Sequence, residues 1–142
     1  EVFLQKLKSE NSYQRSIGLM LIAENARWDT ENRMEDALDA YLKILHDEKP
    51  ITVRQCIQAL HRIIPCKTHL AEKIADALIS LNVAEIRETM RKSVLTDILG
   101  VLAVIRKQQP SEKIDTYVFQ ALSGDILDRK SKKDVEKMLA GN

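Results

Sequence analysis

Apolar residues recur along this chain at intervals of three and four, the period of a helix that buries one face. Ala37, Leu38, Tyr41, Leu42 and Leu45 fall on one such face. Val53, Cys56, Ile57, Leu60, Ile63 and Ile64 fall on the next, and Leu70, Ile74, Ala77, Leu78 and Leu81 on a third. Strand-like alternation is missing, so the pattern predicts an all-α chain of short amphipathic helices. One stripe is wider: Val94, Leu95, Ile98, Leu99, Val101, Leu102 and Ile105 cover more than one side of a helix. That width predicts a cover, either the segment from Ile114 to Leu139 folding over it or, if that segment is loose, a partner or a second copy.

Helix starts are marked by side chains able to accept bonds from free first-turn N–H groups, with an acid or amide three residues on. Asn11 with Gln14, Asn32 with Glu35, Thr52 with Gln55 and Ser131 with Asp134 have this spacing. Pro50 then lies just before a helix and ends the preceding one, which makes "HDEKPIT" an interhelical turn. Lys130, Lys132 and Lys133 read as a solvated turn before the last helix.

The pattern also repeats. "FLQKLKSENSYQRSIGLMLIA" from Phe3 aligns with "YLKILHDEKPITVRQCIQALHRI" from Tyr41, pairing Leu7 with Leu45 and Arg15 with Arg54. The offset, about 38 to 39 residues, is that of a helical-pair repeat. A third copy begins at Ala77 and places Met90 and Arg91 where Val53 and Arg54 stand. A fourth, from Tyr117, is shortened and polar, as the end of a stack requires.

Leucine, a turn with Asp, Pro, then Val-Arg and Ala-Leu, running from Leu45 to Leu60, resembles a HEAT repeat, and the register spans most of the chain. The resemblance implies an α-α superhelix, a HEAT-like solenoid of about three to four helix pairs in a single domain over residues 1–142. It further implies a ladder of turn acids and first-turn arginines, placing Asp47 and Arg54 as partners and Arg15 and Arg91 as further rungs. "ARWD" (26–29), "DEKPITVRQ" (47–55) and "TMR" (89–91) are similar to segments of small clostridial-type bacterial HEAT-like proteins labelled SufBD proteins after iron–sulfur assembly factors. That similarity implies an accessory role in cluster assembly, whereas a cluster held by one chain requires four thiolates. Only Cys56 and Cys66 are present.

Charge and composition narrow the classes further. A content of 44% hydrophobic and 30% charged residues in 142 suits one globular domain. No apolar run approaches the roughly 20 residues of a membrane span. Cysteine usage and the absence of a secretory pattern at the start read as a cytoplasmic protein with reduced thiols. Formal net charge is +1, which advertises no broad field for nucleic acid. Phosphate loops, nucleophile elbows and His-Glu-x-x-His helices do not occur, so no catalytic residue and no cofactor are assigned. Cys66 and His69, with His61 upstream, are the best metal candidates by spacing, and they fall short of a closed four-ligand site. No metal is expected.

What remains is binding. In "ENARWD" the lone Trp28 either staples its loop to the next helix or, beside Arg27 and Asp29, anchors a partner, since Trp and Arg dominate binding hot spots. These residue types resemble those that HEAT-like alkylpurine DNA glycosylases present on a concave face, which keeps nucleic-acid binding or DNA repair as an alternative. On the second helix of the second pair, Gln55, Gln58 and Arg62 point off the core face, as does Ala59. The sequence reading is a non-enzymatic scaffold or adaptor that is a monomer or weak homo-oligomer and binds a protein partner through Gln55, Gln58, Arg62 and the Arg27–Asp29 corner.

Overall fold

The computed structural model describes residues 2–29 and 33–140. Among them the chain is all-helical, with no strand, and its eight α-helices pack together. They are α1 (Val2–Leu7), α2 (Ser12–Asn25), α3 (Arg33–Leu42), α4 (Pro50–Ile63), α5 (Ala71–Ser80), α6 (Glu88–Gln108), α7 (Glu112–Ser123) and α8 (Arg129–Leu139). Four single 3₁₀ turns, Ala26–Trp28, Lys43–His46, Thr68–Leu70 and Val83–Glu85, connect or extend them.

The caps differ in part from the spacing rule. Asn11 does cap α2, its Oδ1 accepting the Tyr13 N–H at 2.8 Å. Thr52 does not cap α4; it is buried inside the first turn, and the helix begins at Pro50 itself. Proline suits that position because its fixed φ is helical and its missing N–H would have had no partner there. Asp47 shapes the approach instead, its Oδ1 accepting the Lys49 N–H at 2.8 Å. Ser131 likewise lies within α8, and the cap is Asp128, whose Oδ1 accepts the Ser131 N–H at 2.8 Å. Asn32 lies outside the described residues.

α2 packs against α1 on one side and α4 on another, α4 packs against α6, and α6 against α8. α1 also touches α3, and α5 and α7 lie against α6 and each other. Every apolar position read from the three helical stripes is buried, apart from the half-buried Ala37 and Ala77. α6 has the most neighbours, which is why its wide stripe is buried from Val94 to Ile105. Ile114, Val118, Leu127 and Val135 from the C-terminal segment are buried in the same core.

Inside that core Tyr41 and Cys56 exchange bonds. The tyrosine hydroxyl donates to the Cys56 carbonyl at 2.8 Å, and the thiol to the Tyr41 carbonyl at 3.7 Å. Burial pushes both groups' pKa values well up, so Cys56 is a packing residue rather than a nucleophile.

The α1–α2 crossing is the tightest. A Cβ on Gly18 would lie 3.0 Å from Lys6 Cβ and 3.1 Å from the Phe3 carbonyl oxygen. Backbone cannot yield as a side-chain tip can, so Gly18→Ala is expected to cost about 1 to 3 kcal/mol despite the better helix propensity of alanine. Gly100 is the control: its Cβ would meet only His61 Nε2, at 3.8 Å, and Gly100→Ala is expected to be neutral or stabilising by up to about 1 kcal/mol. Urea unfolding of the two variants tests the contrast, and equal midpoints would remove the close-crossing account.

Candidate partner-binding surface

The polar groups between α2, α4 and α6 set the geometry. Arg15, in the first turn of α2, is buried. Its Nε and Nη2 donate to the two oxygens of Asp47 at 2.6 and 3.1 Å, while Nη1 donates to the carbonyls of Ser9 and Glu10 at 2.9 and 3.0 Å. A guanidinium fork can meet this set, whereas an ammonium would leave acceptors in the turn unpaired.

The ladder pairing therefore differs from the expected one. Asp47 is taken by Arg15 of α2, and Arg54 pairs instead with Asp97 on α6, its Nε donating to Oδ2 at 2.7 Å. The reason is positional: Arg15 reaches from α2 to the turn that opens α4, and Arg54 reaches from α4 to α6, the helix packed on it. Arg91 bonds locally, its Nε donating to the Ile86 carbonyl at 2.7 Å. Asp97 also accepts from Gln58 Nε2 at 3.4 Å. His61, one turn beyond Gln58, lies beside Gly100; burial lowers its pKa, against the pull of the Asp97 carboxylate.

On the α2 side of α4, Gln55 Oε1 accepts from the Ser16 hydroxyl and Arg62 pairs with Glu24. The order of these pairs, 16 with 55 and 24 with 62, shows that α2 and α4 run parallel. Gln55, Gln58 and Arg62 thus share one face and also serve as bridges between helices. Three large apolar side chains stand on the same face: Tyr13 is 70% exposed, Met20 53% and Ile51 64%. Tyr13, Met20 and Glu24 form one stripe on α2, and Ile51, Gln58 and Arg62 the matching stripe on α4, by helical spacing. The sequence carried a faint signal for them, since Tyr13, Ile17 and Met20 form a second apolar stripe beside the core stripe of Leu19, Ile22 and Ala23. Asp97 gave none, being one acid within an apolar run.

Arg27, Trp28 and Asp29 lie at the other end of α2, and they separate in role. Trp28 is 68% exposed, so it does not staple the loop beneath a helix. The Arg27 guanidinium stands 5.0 Å from the indole centroid, a cation–π stack. Trp28 borders a cleft of about 730 Å³ between α1, the end of α2 and α3, with Phe3, Leu4, Ile22 and Met34 among its lining. Asp29 faces inward. Its oxygens accept the N–H groups of Arg33 and Met34 at 2.8 and 2.6 Å, so it caps α3, and Lys67 donates to its carbonyl at 2.8 Å. Lys67 is buried and its Nζ is also 3.4 Å from the Asp29 carboxylate. This cation ties the α4–α5 loop to the tryptophan corner, a role that sequence spacing did not reveal.

Of the metal candidates, Cys66 is exposed and His69 Nε2 lies 3.0 Å from Glu35 Oε1. Among the described residues no three His, Cys, Asp or Glu side chains are grouped to hold a metal ion. The donor set does not fit an iron–sulfur cluster either, with one thiol sealed in the core and one on the surface. Comparison with protein families, curated proteins and solved structures found no match.

Two outcomes follow from this geometry. Asp47→Ala leaves the buried Arg15 without its carboxylate and is expected to cost about 3 to 5 kcal/mol, whereas Arg54→Ala, which removes a side chain 35% exposed and leaves Asp97 bonded to Gln58, is expected to cost about 1 kcal/mol. Denaturant midpoints in the reverse order would refute the assignment of Arg15 as the anchor. The second concerns Asp29, where burial alone would raise the carboxyl pKa, but the N–H groups of Met34 and Arg33 and the Lys67 cation bring it below its usual value. A depressed folded-state pKa stabilises above the unfolded value of about 3.9 and is lost as pH falls through the folded one. Fluorescence of the lone Trp28 is therefore expected to change below about pH 4 in the native protein but not in Asp29→Asn, which has already lost the titrating group.

Proposed function

We propose that the chain is a HEAT-like α-α superhelix of three to four helix pairs that acts as a non-enzymatic scaffold, binding a protein partner through the α2–α4 face. The observation that carries this reading is the exposure of Tyr13, Met20 and Ile51 together on a face framed by Gln58 and Arg62. An aromatic and two aliphatic side chains held in water on packed helices, with polar groups around them, have the composition of an interface centre and its rim. The helices beneath are braced by Arg15–Asp47, Ser16–Gln55 and Glu24–Arg62, so the face is preorganised and little ordering entropy remains to be lost on binding. The Arg27–Trp28 stack over its cleft is the second contact of the same proposal.

Charge favours protein over nucleic acid on this face. Arg54 and Arg62 are both neutralised, by Asp97 and Glu24, leaving no positive track for a phosphate backbone. A cytoplasmic monomer or weak homo-oligomer of this kind serves as an adaptor.

The test is affinity capture from the native cell, with photo-crosslinking groups placed at Met20. A defined crosslinked species is expected, and Tyr13→Asp with Ile51→Asp is expected to reduce it at least about tenfold, the effect of removing interface anchors. Equal yield from a crosslinker at Lys73, on α5, or undiminished yield with the double variant, would move the site elsewhere.

A further inference from the structure

The last helix carries a surface that the proposed scaffold face does not use. Val135 of α8 is fully buried, with Ser131, Met138 and Leu139 half-buried around it, and this side packs on α6. At about 100° per residue, Arg129, Lys133, Lys137 and Lys130 fall within an arc of about 100° on the opposite side. All four are exposed.

Several other exposed cations are paired across helices, Lys73 with Asp39, Lys92 with Asp128, Arg106 with Asp115 and Lys113 with Asp76, while Lys8, Lys49, Arg87 and Lys107 are exposed without an ion pair but lie far apart in the chain. The four on α8 form neither an ion pair nor a hydrogen bond with any described residue. Carboxylates were available on the same helix. Asp134 lies one turn after Lys130 and one turn before Lys137, and Glu136 one turn after Lys133, yet no bridge forms. The arrangement also works against local stability. Two of the cations occupy the first turn, at the positive end of the helix dipole, where the capping Asp128 is already bonded to Lys92, and Arg129–Lys133 and Lys133–Lys137 are like-charge neighbours.

From this we infer that the outer face of α8 is a docking surface for an acidic polypeptide segment. Its width selects the class. Asp134 and Glu136 stand at about 140° and 340° from Arg129 and so border the cationic strip on both sides, confining it to one helix face. A duplex or an anionic bilayer is broad and would press its own charges onto those carboxylates. A single acidic segment lies between them. The spacing agrees: Arg129, Lys133 and Lys137 rise by about 6 Å per step along the helix, close to the roughly 6.6 Å between alternate residues of an extended strand. An extended segment with acids at every second position therefore sets its carboxylates against successive cations.

The test uses the full chain and a fluorescent peptide of about twelve residues alternating Glu and Ser, long enough to cover the strip. Binding measured by anisotropy is expected, weakening steeply as salt shortens the screening length. Lys133→Glu with Lys137→Glu is expected to weaken it at least about tenfold, while the equal charge change Lys8→Glu with Lys43→Glu leaves it within about twofold. Circular dichroism of the α8 variant checks the fold, which should hold or melt higher because like-charge neighbours are removed. No binding, equal loss in both double variants, or tighter binding of duplex DNA or phosphatidylserine vesicles than of the peptide would overturn the inference. Crosslinking from Met20 reads a different surface, so neither result depends on the other.

Discussion

The arrangement of the first half of the protein depends on one guanidinium. Arg15 is out of water, and each edge of its fork is directed at a different part of the chain: the carbonyls that end the α1–α2 turn, and the carboxylate that opens the approach to α4. A buried charge survives only when such partners are complete. Satisfying it fixes where the start of α2 lies against the start of α4, and the rest of that pair follows in register. Ser16 then reaches Gln55, Glu24 reaches Arg62, and the stripes that hold Tyr13, Met20 and Ile51 come side by side.

Apolar burial and polar bridging divide the work between the two sides of this helix row. On the core side, Leu19, Ile57, Leu60 and Ile98 supply the area-driven stabilisation that short helices lack alone. On the outer side, Asp97 gathers Arg54 and Gln58 and so fixes α6 against α4 at a specific height. The first contribution is non-directional and the second is directional. Together they give neighbouring helices a defined register, which a stack of apolar faces would leave free to slide.

Legibility from sequence followed the same division. Helical periodicity depends only on local spacing, so the all-α class, the helix faces and their buried residues could be read directly. Val53, Cys56, Ile57 and Leu60 all lie in the core where spacing puts them. The polar partners are separated by 32 to 43 residues, and no local rule chooses among candidate acids at that range. Asp47 was visible as a turn acid, yet which arginine it meets depends on how helices stack. Capping was legible at Asn11 and misplaced at Thr52 and Ser131, because a proline and an upstream aspartate compete for the same first-turn geometry. Exposed apolar residues escaped for a related reason: Met20 and Ile51 look like core to any pattern, and only the packed neighbours decide that they face water.

The similar sequence separation of these bridges also bears on how the chain closes on itself. Arg15–Asp47, Ser16–Gln55 and Arg54–Asp97 close loops of 32, 39 and 43 residues, and closure entropy rises only logarithmically with length, so each link costs about the same to form. No one closure is therefore much costlier than the others, so loop entropy sets no fixed order in which the three must form.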